Sequence, residues 1–286
     1  MGHRGHAVPL TSFQRDILAI VGSARTPDSY LAGGAAIHFT PQSTRFSGDL
    51  DFFNDSIERV ATAYTADHGA LVLAGYAVDI EISQPGFVRA IVGRDADATR
   101  IDWAHDSAWR FMPPVRDAVG GYLLHDVDLA INKTLALAGR DEARDFVDIM
   151  YVSATVLPLA GLVWAAVGKD PGFSPLSLLE LLKRRGRPRP EEIARLDLAV
   201  PFDLTSARAQ WLAALADTDT FVRSRPKGEI GCLYYSRADD RFVLPAANDE
   251  SGGVLTHYGR PGGVLPQPAE RPLIALRYAP LPDMPA

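Results

Sequence analysis

The stretch RFSGDLDFF, residues 45–53, sets two aspartates one residue apart inside an otherwise apolar, aromatic run. Strand residues two apart project to the same side, so Asp49 and Asp51 stand about 7 Å apart at ~3.3 Å per residue, with their carboxylates aimed together. Carboxylates are among the residues least often buried without a partner, so two on one face call for a cation. The geometry suits Mg²⁺, which takes a few carboxylates together with substrate phosphate oxygens. Two such ions can activate an attacking hydroxyl and stabilise a leaving pyrophosphate. Upstream, Gly33 and Gly34 supply a turn free of side chains, where backbone N–H groups at a helix start can cradle anionic oxygens. Arg45 and Ser47 flank the acid pair with a charged donor and a hydroxyl.

Outward from this stretch, LTSFQRDILAIVGSAR places Leu10, Phe13, Ile17, Leu18 and Val21 at helical spacing, with Thr11 or Ser12 as cap. SYLAGGAAIHF reads as a short strand, the glycine pair and a helix start. DSIERVATAYTADHGA reads as a helix with Ile57, Val60, Ala61 and Tyr64 facing inward. YAVDIEIS, FVRAIVG and ATRIDWA are strands separated by turns. From Asp126 the pattern turns helical, through DVDLAINKTLALAGRDEARDFVDIMYV, SPLSLLELLKR with Ser174 as N-cap and Pro175 at the first helical position, PEEIARLDL and TSARAQWLAALADTDTFVR. EIGCLYYS and RFVLP around RADD read as a hairpin, followed by a glycine- and proline-rich end.

The bulk properties narrow the class. The chain has 286 residues, 47% hydrophobic and 22% charged, an ordinary globular composition. A single cysteine, Cys232, excludes a disulfide framework and an all-cysteine metal site and fits a reducing compartment, so a cytoplasmic protein is expected. The N-terminus lacks the basic-then-apolar layout of a signal peptide. Residues 150–167, MYVSATVLPLAGLVWAAV, are uncharged and long enough to span a bilayer, but Pro158 and Gly161 interrupt them and no basic cluster flanks them, so a buried core helix is expected. A net charge of −6 argues against a protein that coats nucleic acid non-specifically. The seven histidines show no zinc spacing, and neither a Gly-x-Ser-x-Gly nor a phosphate-loop motif occurs.

GGAAIHF followed by STRFSGDLDFF resembles the nucleotidyltransferase signature of the DNA polymerase β superfamily, in the form found in AbiEii/AbiGii-type toxins, including the mycobacterial MenT group. Those proteins show a Gly-Gly pair and then Arg-x-Ser-x-Asp-x-Asp. NKTLALAGRDEARDFVDI resembles the second signature of that family, a Lys, an Arg and then an Arg-Asp-x-x-Asp helix. Ala35 departs from the pattern, since the superfamily commonly has Gly-Ser at the phosphate-binding turn, and Ser47 is the substitute hydroxyl. The resemblance spans about residues 31–151 and implies a polymerase β-like nucleotidyltransferase domain; with the patterns above, the expected fold is α+β, with that domain at residues 1–125, a helical domain at 126–225 and a C-terminal hairpin and Pro/Gly-rich tail at 226–286. It implies that Asp49 and Asp51 bind the metals, that Gly33, Gly34, Arg45 and Ser47 lie against the nucleotide, and that Lys133 reaches the triphosphate.

Lys133 also stands out by itself, because lysine occurs at only four positions in an arginine-rich chain and a flexible point charge suits phosphate. Asp145 and Asp148 stand one helical turn apart, and Arg144 has the spacing to pair with Asp148. The resemblance raises Asp148 and Asp145 to site roles as base, hydrogen-bond anchor or orienter of Lys133. It also calls for a third metal carboxylate on a neighbouring strand. Asp102 is chosen, since Ile101 and Trp103 can face the core while it faces the cleft; Asp79 and Glu81 read as a solvated strand face.

The basic run KRRGRPR, residues 183–189, is either an RNA contact or a charged helix terminus. The function expected is that of a Mg²⁺-dependent nucleotidyltransferase toxin, acting from NTP on a tRNA 3′ end and paired with a cognate antitoxin, with no membrane partner. Two other readings stay open: the same chemistry on a small molecule or protein, and an inactive nucleotide-binding module.

Overall fold

The computed structural model describes residues 10–39, 43–245 and 253–266. Its elements are α1 (Ser12–Val21), β1 (Ser29–Ala32), α2 (Gly33–Ile37), β2 (Asp49–Asn54), α3 (Ile57–Leu73), β3 (Ala77–Gln84), β4 (Phe87–Arg94), β5 (Asp97–His105), β6 (Trp109–Arg110), β7 (Val115–Asp117) and β8 (Gly121–Leu123). Then follow α4 (Asp126–Arg140), α5 (Ala143–Thr155), α6 (Leu159–Lys169), α7 (Pro175–Arg184), α8 (Pro190–Ile193), α9 (Leu204–Ser224), β9 (Leu233–Ser236), β10 (Arg241–Val243), β11 (Val254–His257) and β12 (Arg260–Pro261). This is the α+β class that the sequence leads one to expect.

A seven-stranded mixed sheet in the order β3-β4-β5-β2-β1-β8-β7 forms the centre. β2 runs parallel to β5 and antiparallel to β1, which places it inside the sheet with a neighbour on each side. α1 and α3 cover one face, where Tyr64 meets Trp103 edge-on at 5.3 Å and Gln14 Nε2 donates to Thr99 Oγ at 3.2 Å. Helices from Asp126 onward pack against α2 and against one another around a continuous apolar core. The expected caps are present: Thr11 and Gln14 close a capping box on α1, and Ser174 caps α7 with Pro175 next to it.

Three expectations change. The inward face of α3 is Val60, Ala63, Asp67 and Leu71, whereas Ile57 is 46% exposed and Ala61 lies outside too. The cause is a charge: Asp67 accepts from Arg25 at 2.5 Å and from Trp103 Nε1 at 2.7 Å, and both ionised side chains are wholly buried. An apolar pattern does not reveal a helix whose inward face is centred on a paired acid. The apolar run at residues 150–167 is two helices, α5 and α6, bent by 111° at a short break, and residues 159–167 are all buried. Among the described residues no single helix is long and apolar enough to cross a membrane. PEEIARLDL is helical only over Pro190–Ile193.

The hairpin around RADD exists as β9 and β10, with β11 added on the other side of β9. Most of the glycine- and proline-rich end, and His3 and His6, lie outside the described residues. Removing one partner of a buried ion pair leaves the other uncompensated. Asp67→Ala should therefore lower the free energy of urea unfolding by about 3–5 kcal/mol, with most of the loss recovered when Arg25→Met is added. A loss no larger than that of an exposed ion pair, about 1 kcal/mol or less, would show that this pair does not hold α3.

Candidate active site

The strand β1 is buried along its whole length and ends at the glycine pair. Gly33 has φ +63°, a left-handed conformation that costs an L-residue, and a Cβ there would lie 1.9 Å from Asp51 Oδ2. A Cβ on Gly34 would come within 2.9 Å of both Arg45 Nη2 and Ser47 Oγ. The two glycines therefore let the start of α2 lie directly over the acid strand. Ala35 is fully buried in the core, so the residue that departs from the superfamily pattern is used for packing. Ser47 Oγ donates to Asp49 Oδ1 at 3.1 Å.

Asp49 and Asp51 share one face of β2. Register sets Asp51 opposite Ala32 of β1 and opposite Asp102 of β5. The chosen third carboxylate thus neighbours the pair, with Ile101 and Trp103 buried on the reverse face. Asp79 and Glu81 sit exposed on the edge strand β3. Each carboxylate on the site face has a different electrostatic setting. Asp102 is gripped by both arms of Arg89, at 2.8 and 2.7 Å. Asp49 is touched by Arg100 and by Arg144, the latter at 3.4 Å. Burial opposes ionisation of Asp49, but these guanidinium groups and Ser47 hold its carboxyl below the usual range. Among the described residues no donor reaches the Asp51 carboxylate, and burial together with the neighbouring Asp49 charge pushes it up to about 6.

Facing this strip from the helical side is a buried charge cluster. Lys133 Nζ on α4 lies 3.1 Å from Asp145 Oδ1 and 2.9 Å from Asp148 Oδ2. Arg140 is bidentate on Asp145, at 2.6 and 2.8 Å, and Arg45 is bidentate on Asp148, at 2.7 Å for each arm. His38 Nε2 is 2.8 Å from Asp148 Oδ1, and its Nδ1 meets Ser43 Oγ. A neutral imidazole satisfies both contacts, donating from Nε2 and accepting at Nδ1, and burial lowers the His38 pKa in keeping with that form. Although burial favours the neutral acid, Lys133, His38 and Arg45 hold Asp148 well below the usual carboxylate range. Lys133 is raised in turn: burial works against its charge, and Asp148 and Asp145 outweigh it.

Between the sheet carboxylates and this cluster lies a cavity of about 130 Å³, bordered by Gly33, Asp51 and Phe53 below and by Leu129, Lys133 and Arg140 on α4. Two larger clefts, about 660 and 590 Å³, open where the end of α5 meets β9 to β11 and carry none of the sheet carboxylates.

The structure thus brings together Gly33, Gly34, Arg45, Ser47, Asp49, Asp51, Asp102, Lys133, Asp145 and Asp148. It corrects one pairing: Arg144 turns to Glu142 at 2.6 Å and to Asp49, because Arg45, His38 and Lys133 already fill Asp148. The sequence reading passed over His38, Ser43, Arg89 and Arg100, and included Arg140 only as part of a motif. Arg100 was within reach of it, since it shares the face of its strand with Asp102; Arg89, between Phe87 and Ile91 on its own strand, and His38 carry no such signal. In the basic run, Lys183, Arg185 and Arg189 are each paired with a nearby carboxylate, as in a charged helix terminus.

The family model of the nucleotidyl transferase AbiEii toxin, type IV toxin–antitoxin system, matches residues 16–230. The chain belongs to that family. It is therefore a nucleotidyltransferase of the toxin class, as the two signatures imply. Among solved structures, this AbiEii chain is similar to the nucleotidyltransferase toxin MenT4 of Mycobacterium tuberculosis H37Rv, at 16% identity and TM-score 0.49, over 76% of this chain and 83% of that one. It is also similar to JHP933 of Helicobacter pylori, at 16% identity and TM-score 0.45, over 74% and 91% of the two chains. No curated protein matches it.

The electrostatics of Asp51 have a measurable consequence for this AbiEii protein. In the metal-free protein the folded state keeps a proton on Asp51 at pH values where the unfolded chain has lost it. Stability therefore falls as pH rises from about 4 towards about 6. That window lies above the one in which Asp49 and Asp148, both held low, gain protons. Asp51→Asn should weaken the dependence, leaving the part that comes from Asp128, which burial also pushes up to about 6, and, at neutral pH in the presence of a chelator, stabilise the fold by on the order of 2 kcal/mol. Chemical denaturation across the window checks this, and a variant no more stable than the parent refutes it.

Proposed function

We propose that this chain transfers a nucleotidyl group from an NTP to the 3′ end of an RNA, with tRNA the first acceptor to test, using Mg²⁺ held by Asp49 and Asp51. The observation that carries the reading is Asp51: a carboxylate without a donor, beside a second carboxylate, under a glycine whose missing Cβ keeps Oδ2 uncovered. Asp51, which no donor among the described residues satisfies, fits a divalent cation shared with Asp49. Among the described residues no three carboxylates or imidazoles converge as a complete ligand set, in keeping with an ion that takes its remaining ligands from substrate phosphates and water. Asp102 stays with Arg89, which grips it with both arms, and stands beside the pair rather than completing it. When bound, Mg²⁺ would supply charge neutralisation at the phosphates and a lower pKa for the attacking hydroxyl.

The chain itself supplies the rest. Arg140 and Lys133 border the cavity over Asp51 and present positive charge to a triphosphate, while Asp145 and Asp148 fix the direction in which they point. Gly33 and Gly34 let phosphate oxygens approach the backbone, and Ser47 orients Asp49. Arg45 acts through Asp148. We include in this proposal the division into a catalytic part at residues 1–125, a helical part at 126–225 that provides Lys133 and Arg140, and a C-terminal part at 226–286. We also include a cytoplasmic setting, where NTPs and tRNA are found, and a cognate antitoxin protein as partner.

The test is incubation of the purified protein with Mg²⁺, each labelled NTP in turn and total tRNA. Label is expected on tRNA with the parent protein and not with Asp49→Ala or Asp51→Ala. Label on protein or a small molecule instead would sink the RNA reading, and NTP binding without pyrophosphate release would indicate a non-catalytic module. Lys133→Met should lower turnover by about 10²–10³-fold, the scale of losing a preorganised charge at a reacting group. A turnover within a factor of two of the parent would remove Lys133 from the site.

A further inference from the structure

The sheet face that carries Asp49 and Asp51 continues beyond them. Cross-strand register lays out three rows across β2, β5 and β4: Phe53, Ala104 and Phe87; Asp51, Asp102 and Arg89; Asp49, Arg100 and Ile91. α1 and α3 cover the opposite face, and the helical half lies over the β2 end of these rows, where Lys133 and Arg140 border the cavity and Arg144 reaches Asp49. Towards β4, Phe87, Arg89, Ile91 and Arg100 are half-exposed. There the Arg89 guanidinium carbon lies 5.3 Å from the centre of the Phe87 ring, while both arms grip Asp102.

The geometry points to this strip as the seat of the 3′-terminal nucleotide of a single-stranded RNA acceptor, with Phe87 and Arg89 as the stacking platform for its base and Arg100 as the cation for its backbone phosphate. The inference rests on the RNA-transfer reading above and deepens it. In-line displacement at a phosphoryl group needs the attacking oxygen and the leaving pyrophosphate on opposite sides of the phosphorus. Lys133 and Arg140 mark the helix side of the carboxylates as the pyrophosphate side, so the acceptor approaches across β5 and β4.

What it meets there suits a nucleotide. A phenyl ring beside a guanidinium plane held by a bidentate carboxylate offers a rigid surface on which any base can stack, and unpaired bases at RNA ends are held in this way. Arg100 is in contact with Asp49 and 3.8 Å from Asp102, at the row nearest the reacting atoms, and its side chain is still one-third exposed. The strip is short. On β3, the next strand out, Asp79 and Glu81 are exposed and repel phosphate, so the surface accepts a terminus and turns the rest of the strand away. That agrees with a chain of net charge −6, which binds an RNA end without coating the polymer.

The test separates the platform from the chemistry. The probe is a short, 5′-fluorescent single-stranded RNA ending in a 3′-deoxynucleotide, which binds but accepts nothing; its anisotropy is titrated with full-length protein and Mg²⁺, and NTP affinity is measured in parallel. Phe87→Leu keeps an apolar side chain against Arg89 but removes the ring, and Phe87→Tyr keeps the ring. Phe87→Leu should weaken RNA binding about tenfold, the scale of one lost base stack. Phe87→Tyr should match the parent, and NTP affinity should stay unchanged in both. Equal RNA binding by Phe87→Leu and parent, or no RNA binding by the parent, overturns the platform. Ring-dependent binding by a protein that never labels RNA upholds the platform and defeats the function proposed above. Labelling of RNA with an acceptor KM unaltered in Phe87→Leu does the reverse.

Discussion

Asp148 accepts hydrogen bonds and charge from Arg45, His38 and Lys133 at a place where its own side chain has no exposure at all. Through these three contacts it joins the end of α2, the loop that leads into β2, and α4 to the helix α5. Two ionised groups taken out of water gain little net stability from each other, because desolvation offsets most of their attraction. What the cluster does instead is restrict arrangement. A buried carboxylate with its acceptor sites filled admits one orientation of each donor, so Lys133 can point only where Asp145 and Asp148 leave it. The position of the cationic wall over Asp51 follows from that constraint, and so does the 130 Å³ cavity between them.

The opposite wall is under the opposite strain. Three carboxylates, Asp49, Asp51 and Asp102, lie within two adjacent strands, and three arginines, Arg89, Arg100 and Arg144, reach Asp49 and Asp102. Asp51 alone is left out, between a buried environment and a neighbouring negative charge, which is why its pKa is pushed up to about 6. A group kept in an unfavourable state in the resting protein is a common cost of a functional site, since a ligand that relieves it binds with that much more advantage. The helical half thus presents fixed positive charge and the sheet half presents unsatisfied negative charge, and the fold brings the two to within one small cavity of each other.

Much of this was legible along the chain. Asp49 and Asp51 share a face because side chains alternate on a strand, whatever lies around them. Gly33 and Gly34 announce a turn, and the caps of α1 and α7 follow from Thr11, Ser174 and Pro175. Asp102 was legible because its neighbours Ile101 and Trp103 are apolar, which leaves one face for the acid. The failures share a cause as well. The phase of α3 and the true partner of Arg144 both depend on a charge supplied from far away in sequence, Arg25 to Asp67 in the first case and Asp49 to Arg144 in the second. His38 was illegible for the same reason, because its partner Asp148 lies 110 residues on.

The sequence by itself determined the local facts: which residues alternate, where helices start, where a glycine is required, and which two signatures stand in order. It thereby determined the AbiEii kinship and which acids stand at the centre of the proposed site. Only the tertiary structure decided how charges are shared among those residues. Ion pairing depends on distance in space and on exclusion of water, and neither is a property of spacing along the chain. Lys133 became a buried, anchored cation, Asp51 the unsatisfied acid, and Arg89 with Phe87 an open shelf beside them, once the strands and helices had been brought together.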